Sequence, residues 1–152
     1  MAMPLCLMKS LVLVAIVVSL NACSERWPRQ ETQPFPSGIY TYSLSDSEVP
    51  GEVPPDIRPL MVGEYVVTFT PEGRVSNVVA GQLDAAGHYA STLKYLVLTD
   101  EEGPGHCTGE HATGIYRWTR QGDQFQLVSI EDGCRWREFA ITRKPWTHQP
   151  GE

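Results

Sequence analysis

The sequence predicts an all-β fold, an eight-stranded antiparallel up-and-down barrel, on three observations. The first is a Gly-x-Tyr triplet that recurs at Gly38-Ile39-Tyr40, Gly63-Glu64-Tyr65, Gly87-His88-Tyr89 and Gly114-Ile115-Tyr116, spaced by 25, 24 and 27 residues. Each copy opens a run of β-forming residues, the pattern of a meander of hairpins. The second is period-2 alternation of large apolar side chains within those runs. The third is that no segment carries a convincing amphipathic helical period. A two-sheet sandwich is the alternative arrangement of the same strands.

The elements follow in chain order. Tyr40, Tyr42 and Leu44 alternate onto one face of a first strand. Ser45 to Val62 is a long connection containing Pro50, Pro54, Pro55 and Pro59, read as a lid over one mouth of the barrel. Glu64 to Thr70 and Arg74 to Val79 form a hairpin across Pro71-Glu72-Gly73, where Pro pre-sets φ and Gly can turn left-handed. Gly87 to Thr99 holds two strands, with a turn placed at Ala90-Ser91-Thr92. Ile115 to Arg120 and Gln124 to Ile130 pair around Gln121-Gly122-Asp123, and Arg135 to Arg143 is the last strand. Tyr65, Val67 and Phe69, Leu96 and Leu98, Tyr116 and Trp118, Phe125 and Leu127, and Phe139 and Ile141 then share the apolar face. A sheet with one such face must close on itself or be covered, and eight strands close economically.

The N-terminus reads as targeting sequence and is set apart from the fold. Lys9 precedes the apolar run Leu11 to Leu20, which is too short to span a bilayer as a helix. Leu20-Asn21-Ala22-Cys23 resembles the lipobox of bacterial lipoproteins, with Asn21 the departure from its usual pattern. The resemblance implies a signal peptide over residues 1–22, removed as Cys23 is acylated. It places the protein in the cell envelope, attached through its N-terminal acyl chains. In a Gram-negative cell, Ser24 implies the outer membrane, facing the periplasm. Residues 23–36 read as a flexible tether, 37–146 as the barrel domain and 147–152 as a disordered tail.

Residues 23–152 carry 11 basic against 18 acidic groups, a net charge of −7, with no basic cluster, which argues against nucleic acid as a partner. With Cys6 in the signal and Cys23 acylated, Cys107 and Cys134 remain for a disulfide in an oxidising compartment. That link stabilises the fold by about 3–4 kcal/mol on the chain-entropy model. The competing reading is a metal site, because His106 and Cys107 lie close to Glu110 and His111. Those residues, with Glu101 and Glu102, otherwise read as a solvated acidic loop. Neither a metal nor a cofactor is expected.

The barrel segment resembles the lipocalin-like (calycin) barrels: a Gly-x-aromatic opens the first strand, the first connection is long, and an Arg lies on the last strand. Gly114-Ile115-Tyr116-Arg117-Trp118 and Asp132-Gly133-Cys134-Arg135-Trp136-Arg137 are similar to small secreted lipocalin-like proteins of unassigned function. Tyr40 stands where lipocalins usually carry Trp. The residues expected to meet a ligand are Tyr40, Tyr65, Phe69, Tyr116, Trp118 and Arg137. The same rings can instead fill an eight-stranded barrel outright. Arg137 is either a carboxylate anchor or a structural Arg that pairs with Asp132 and stacks on a floor ring. No G-x-S-x-G, S-x-x-K or phosphate-cradling Gly loop is present, and the expected function is non-enzymatic. That function is binding or carrying a small hydrophobic ligand. The alternatives are an envelope protein adaptor or inhibitor with a filled barrel, presenting Trp27, Trp136 and Trp146, and a metal carrier using His106 and His111.

Overall fold

The structure, a computed structural model, describes residues 34–149; Cys6, the lipobox with Cys23, and Trp27 lie outside the described residues. The eight strands form a closed antiparallel barrel in which each strand pairs with its neighbours in sequence and the last pairs with the first. The strands are β1 (Gly38–Leu44), β2 (Gly63–Phe69), β3 (Arg74–Val79), β4 (Gln82–Ser91), β5 (Tyr95–Glu102), β6 (Thr113–Gln121), β7 (Gln124–Asp132) and β8 (Trp146–Gln149). One α-helix among the described residues, α1 (Arg135–Thr142), lies between β7 and β8. The expected interior face holds throughout β1, β2, β5, β6 and β7, where Tyr40, Tyr65, Leu96, Tyr116 and Phe125 are completely or almost completely buried.

The first two Gly-x-Tyr triplets share a local physical basis, whereas Gly87 lies inside β4 instead of opening a strand. Gly38 and Gly63 enter their strands at φ +144° and +132°, conformations that L side chains rarely adopt. Two residues on, each Tyr turns its hydroxyl back to a carbonyl four residues upstream. Tyr40 donates to Pro36 O at 2.6 Å and Tyr65 to Met61 O at 3.0 Å. The ring is buried and its polar tip is satisfied by the segment that leads into the strand.

Three sequence expectations are corrected. Arg135 to Arg143 is not the last strand. Positions 137, 139 and 141 do alternate, but 136, 137, 140 and 141 also make an i, i+1, i+4, i+5 helical stripe, and the helix wins because that stripe faces the barrel mouth. The closing strand is instead β8, three of whose four residues were assigned to the tail; it pairs Thr41 with Thr147 and Phe125 with Trp146. The β4–β5 turn falls at Thr92–Lys94, with Thr92 Oγ1 accepting from Tyr95 N at 3.0 Å, just after the Ala90–Thr92 placement.

The ordered barrel also begins earlier than Ser37. Phe35, in the segment read as a tether, is 3 % exposed and plugs the end where both described termini lie. Its ring stacks on Tyr40 at 5.0 Å and meets Phe69, Trp118 and Phe125 edge-on at 5.0, 5.5 and 5.2 Å. Replacing it removes the centre of that cluster. Phe35→Ala is expected to cost about 3–5 kcal/mol, read as a lower denaturant midpoint at unchanged slope.

Candidate ligand-binding cavity

The interior is divided along the barrel axis. At the end closed by Phe35, aromatic rings fill the cross-section: Tyr40, Phe69, Trp118 and Phe125 pack around it, and Arg120 sits 5.3 Å over the Phe125 ring. The opposite end carries the 45–62 connection, the β5–β6 loop and α1. There β4 lines the space with Asp84 and the small residues Ala85 and Ala86 where other strands supply large apolar side chains, and a cavity of about 500 Å³ remains. Its apolar wall includes Val67, Val75, Leu98 and Met61, with Tyr65 beside the 45–62 connection and Trp146 toward the rings of the plugged half. The barrel is therefore filled at one end only.

The mouth is covered from two sides. Ile57, Leu60 and Met61 close it from the 45–62 connection, and Trp136, Ala140 and Ile141 close it from α1. Arg58 fixes the connection internally, donating to Asp46 Oδ1 at 2.6 Å and to the Pro50 carbonyl at 3.0 Å. Two ion pairs join the 45–62 connection to α1 and the residues just after it, the exposed Arg135–Glu52 at 2.8 Å and the half-buried Lys144–Glu48 at 2.6 Å. The hydrogen bond from Lys144 is the largest influence holding the Glu48 carboxyl down at about 2, with Ser45 adding to it.

Arg137 occupies the rim with its five N–H groups all engaged. Nε donates to Asp132 Oδ2 at 2.9 Å and Nη2 to Asp132 Oδ1 at 2.6 Å, a bidentate grip. Nη1 donates to Asp100 Oδ2 at 2.9 Å and Ala112 O at 2.7 Å, and Nη2 also donates to His111 O at 3.0 Å. The three charged side chains are 7, 9 and 0 % exposed for Arg137, Asp100 and Asp132. Burial works against the guanidinium charge, but the two carboxylates outweigh it and its pKa is raised. Tyr116 donates its hydroxyl to Asp132. Asp100 and Asp132 also accept from Cys107 N and Cys134 N at 3.0 and 2.7 Å, beside the disulfide that joins those two residues. The Asp132 pairing is as one sequence reading had it, while the stacking on a floor ring falls to Arg120 instead.

The polar part of the cavity wall is built by a β-bulge. Asn77 pairs with Ala85 and Val78 with Leu83, so Asp84 is an extra residue on β4, and it lines the cavity together with Ala85. Bulges re-aim side chains in this way. Asp84 Oδ2 accepts from Asn77 Nδ2 at 2.9 Å. Burial raises the Asp84 pKa above its ordinary 3.8; the Asn77 hydrogen bond opposes this and the Asp100 charge adds to it. The β5–β6 loop closes over this carboxylate through Gly103 and Gly105, where a Cβ would overlap Asp84 atoms. Three buried polar atoms have no partner among the described residues: Asn77 Oδ1, Tyr42 Oη and Trp146 Nε1.

Of the six residues expected to meet a ligand, Tyr65 and Arg137 line the cavity, whereas Tyr40, Phe69 and Trp118 belong to the plugged end and Tyr116 to the ionic cluster. Trp146, read as an exposed anchor, is completely buried in a stack on Tyr42, and Trp136 is half-buried against Arg135. His106 and His111 reach the rim, where His106 contacts Gly103 O and His111 lies 3.7 Å from Glu110. No set of three or more His, Cys, Asp or Glu side chains is gathered as a metal would need, among the described residues. Asp84, Asn77 and Asp100 were not singled out from sequence. A polar Asn and Asp in otherwise β-forming strands was the available signal.

No family model, curated protein or solved structure matches this chain.

Two outcomes follow from these charges. Arg137→Ala leaves two buried carboxylates uncompensated and is expected to cost about 3–5 kcal/mol in chemical denaturation. Asp84 behaves oppositely: its raised pKa means the folded state binds the proton more tightly than the unfolded chain. Stability therefore falls as pH rises from below 3.8 through the raised value. Asp84→Asn should flatten that fall and raise the thermal midpoint at neutral pH, measured as Tm against pH.

Proposed function

We propose that this protein is a non-enzymatic binding module of the cell envelope, lipid-anchored through Cys23, that binds or carries a small, largely apolar molecule. The observation that carries the reading is the cavity of about 500 Å³, lined for the larger part by apolar side chains and partly covered by the 45–62 connection and α1. Cavities of this size and lining suit small ligands. The lipobox resemblance supplies the anchor, and the Cys107–Cys134 disulfide is in keeping with an oxidising compartment outside the cytoplasm. A domain held to the bilayer by acyl chains keeps its interior for cargo.

The test is uptake of an uncharged fluorophore, N-phenyl-1-naphthylamine, alongside native mass spectrometry of protein purified from its own envelope. Saturable binding is expected in the wild type and its loss in Ala85→Trp, whose indole enters the cavity, with circular dichroism unchanged. Absence of both fluorophore binding and co-purified small molecules overturns the reading.

A further inference from the structure

Resting on the reading of the cavity as a ligand site, we infer that its ligand carries a positively charged, hydrogen-bond-donating nitrogen, an ammonium or amidinium group, seated against Asp84 and Asn77. The argument begins with the charges that face the cavity. Arg137 is shared between Asp100 and Asp132, with no N–H left for a ligand carboxylate. Arg135, the other arginine at the rim, is paired with Glu52. Of the two carboxylates that line the cavity, Asp100 is paired with Arg137, and Asp84 has no basic partner among the described residues.

The hydrogen-bonding capacity points the same way. Asn77 spends a donor on Asp84 Oδ2, so the amide oxygen beside it is left as a buried acceptor with no donor. Asp84 Oδ1 likewise receives no hydrogen bond from the described residues. Two adjacent acceptors, one of them charged, are matched by a cation with more than one N–H. A carboxylate head meets only repulsion and lost solvation there. The bulge at Asp84 and the glycines at 103 and 105 are the backbone features that allow an acidic side chain this position under a closed loop. Burial disfavours the Asp84 charge, and a cation beside it favours the charged form.

The experiment uses three octyl amphiphiles that differ only in head group: octylammonium, octanol and octanoate, each displacing N-phenyl-1-naphthylamine from the full-length protein. Octylammonium should bind about 10-fold or more tighter than octanol, the scale of a charge-assisted hydrogen bond, with octanoate weakest. In Asp84→Asn the ammonium should fall to the level of octanol while octanol is unchanged. Glu72→Gln, which removes the same charge from the exposed turn at the plugged end, should keep the preference. Equal binding of octylammonium and octanol, or a preference that survives Asp84→Asn, overturns this inference and leaves the cavity as a site for uncharged ligands. Failure of the fluorophore and all three amphiphiles to bind overturns both readings.

Discussion

A guanidinium and two carboxylates are costly to remove from water, and they stay together only where every hydrogen bond is made. Arg137 meets that requirement with its two aspartates and two backbone carbonyls, and the open end of the barrel is organised around it. Its partners belong to β5, β7 and the β5–β6 loop, while the arginine itself stands on α1. One side chain thus holds the helix over the mouth and fixes the loop that crosses Asp84. The disulfide joins the same loop to the start of the helix, so covalent and ionic links act on the same two pieces of chain. A helix of eight residues has little stability of its own, and here it persists through these attachments.

The second constraint is volume. The interior of an eight-stranded barrel is just wide enough for side chains to fill. Phe35 and the rings around it use that width completely at one end. Small β4 residues leave it unfilled at the other. A packed aromatic end gives the fold its core, and the unfilled end can then hold polar groups that a core would reject. Asp84, Asn77 and the unpartnered atoms of Tyr42 and Trp146 are all placed toward or beside this space.

Much of the barrel was legible because the strands of its hairpins alternate cleanly and are punctuated by Pro and Gly, as at Pro71-Glu72-Gly73 and Gln121-Gly122-Asp123. The helix was not, because Arg137, Phe139 and Ile141 satisfy a period of two as well as their neighbours satisfy a helical one. Trp146 to Gln149 is too short a run to announce a strand, and it acquires that structure only from β1 and β7 on either side. The site was less legible than the fold. Large aromatics attract attention as ligand-binding residues, yet in a closed cylinder the space for a ligand lies where side chains are small, at Ala85 and Ala86. Asp84 depends on a one-residue register slip, and a lone polar residue in a β-forming run does not tell which face such a slip turns it to.

The pairing of β8 with β1 has a further consequence. The seam that closes the cylinder joins Ile39–Thr41 to Thr147–Gln149, two ends of the described chain more than a hundred residues apart. Every nested fragment that stops short of β8 presents two open sheet edges to solvent and to other chains. Closure is the contact of greatest sequence separation in the sheet and bears the largest loop-closure entropy, so the cylinder is completed by its last few residues or not at all.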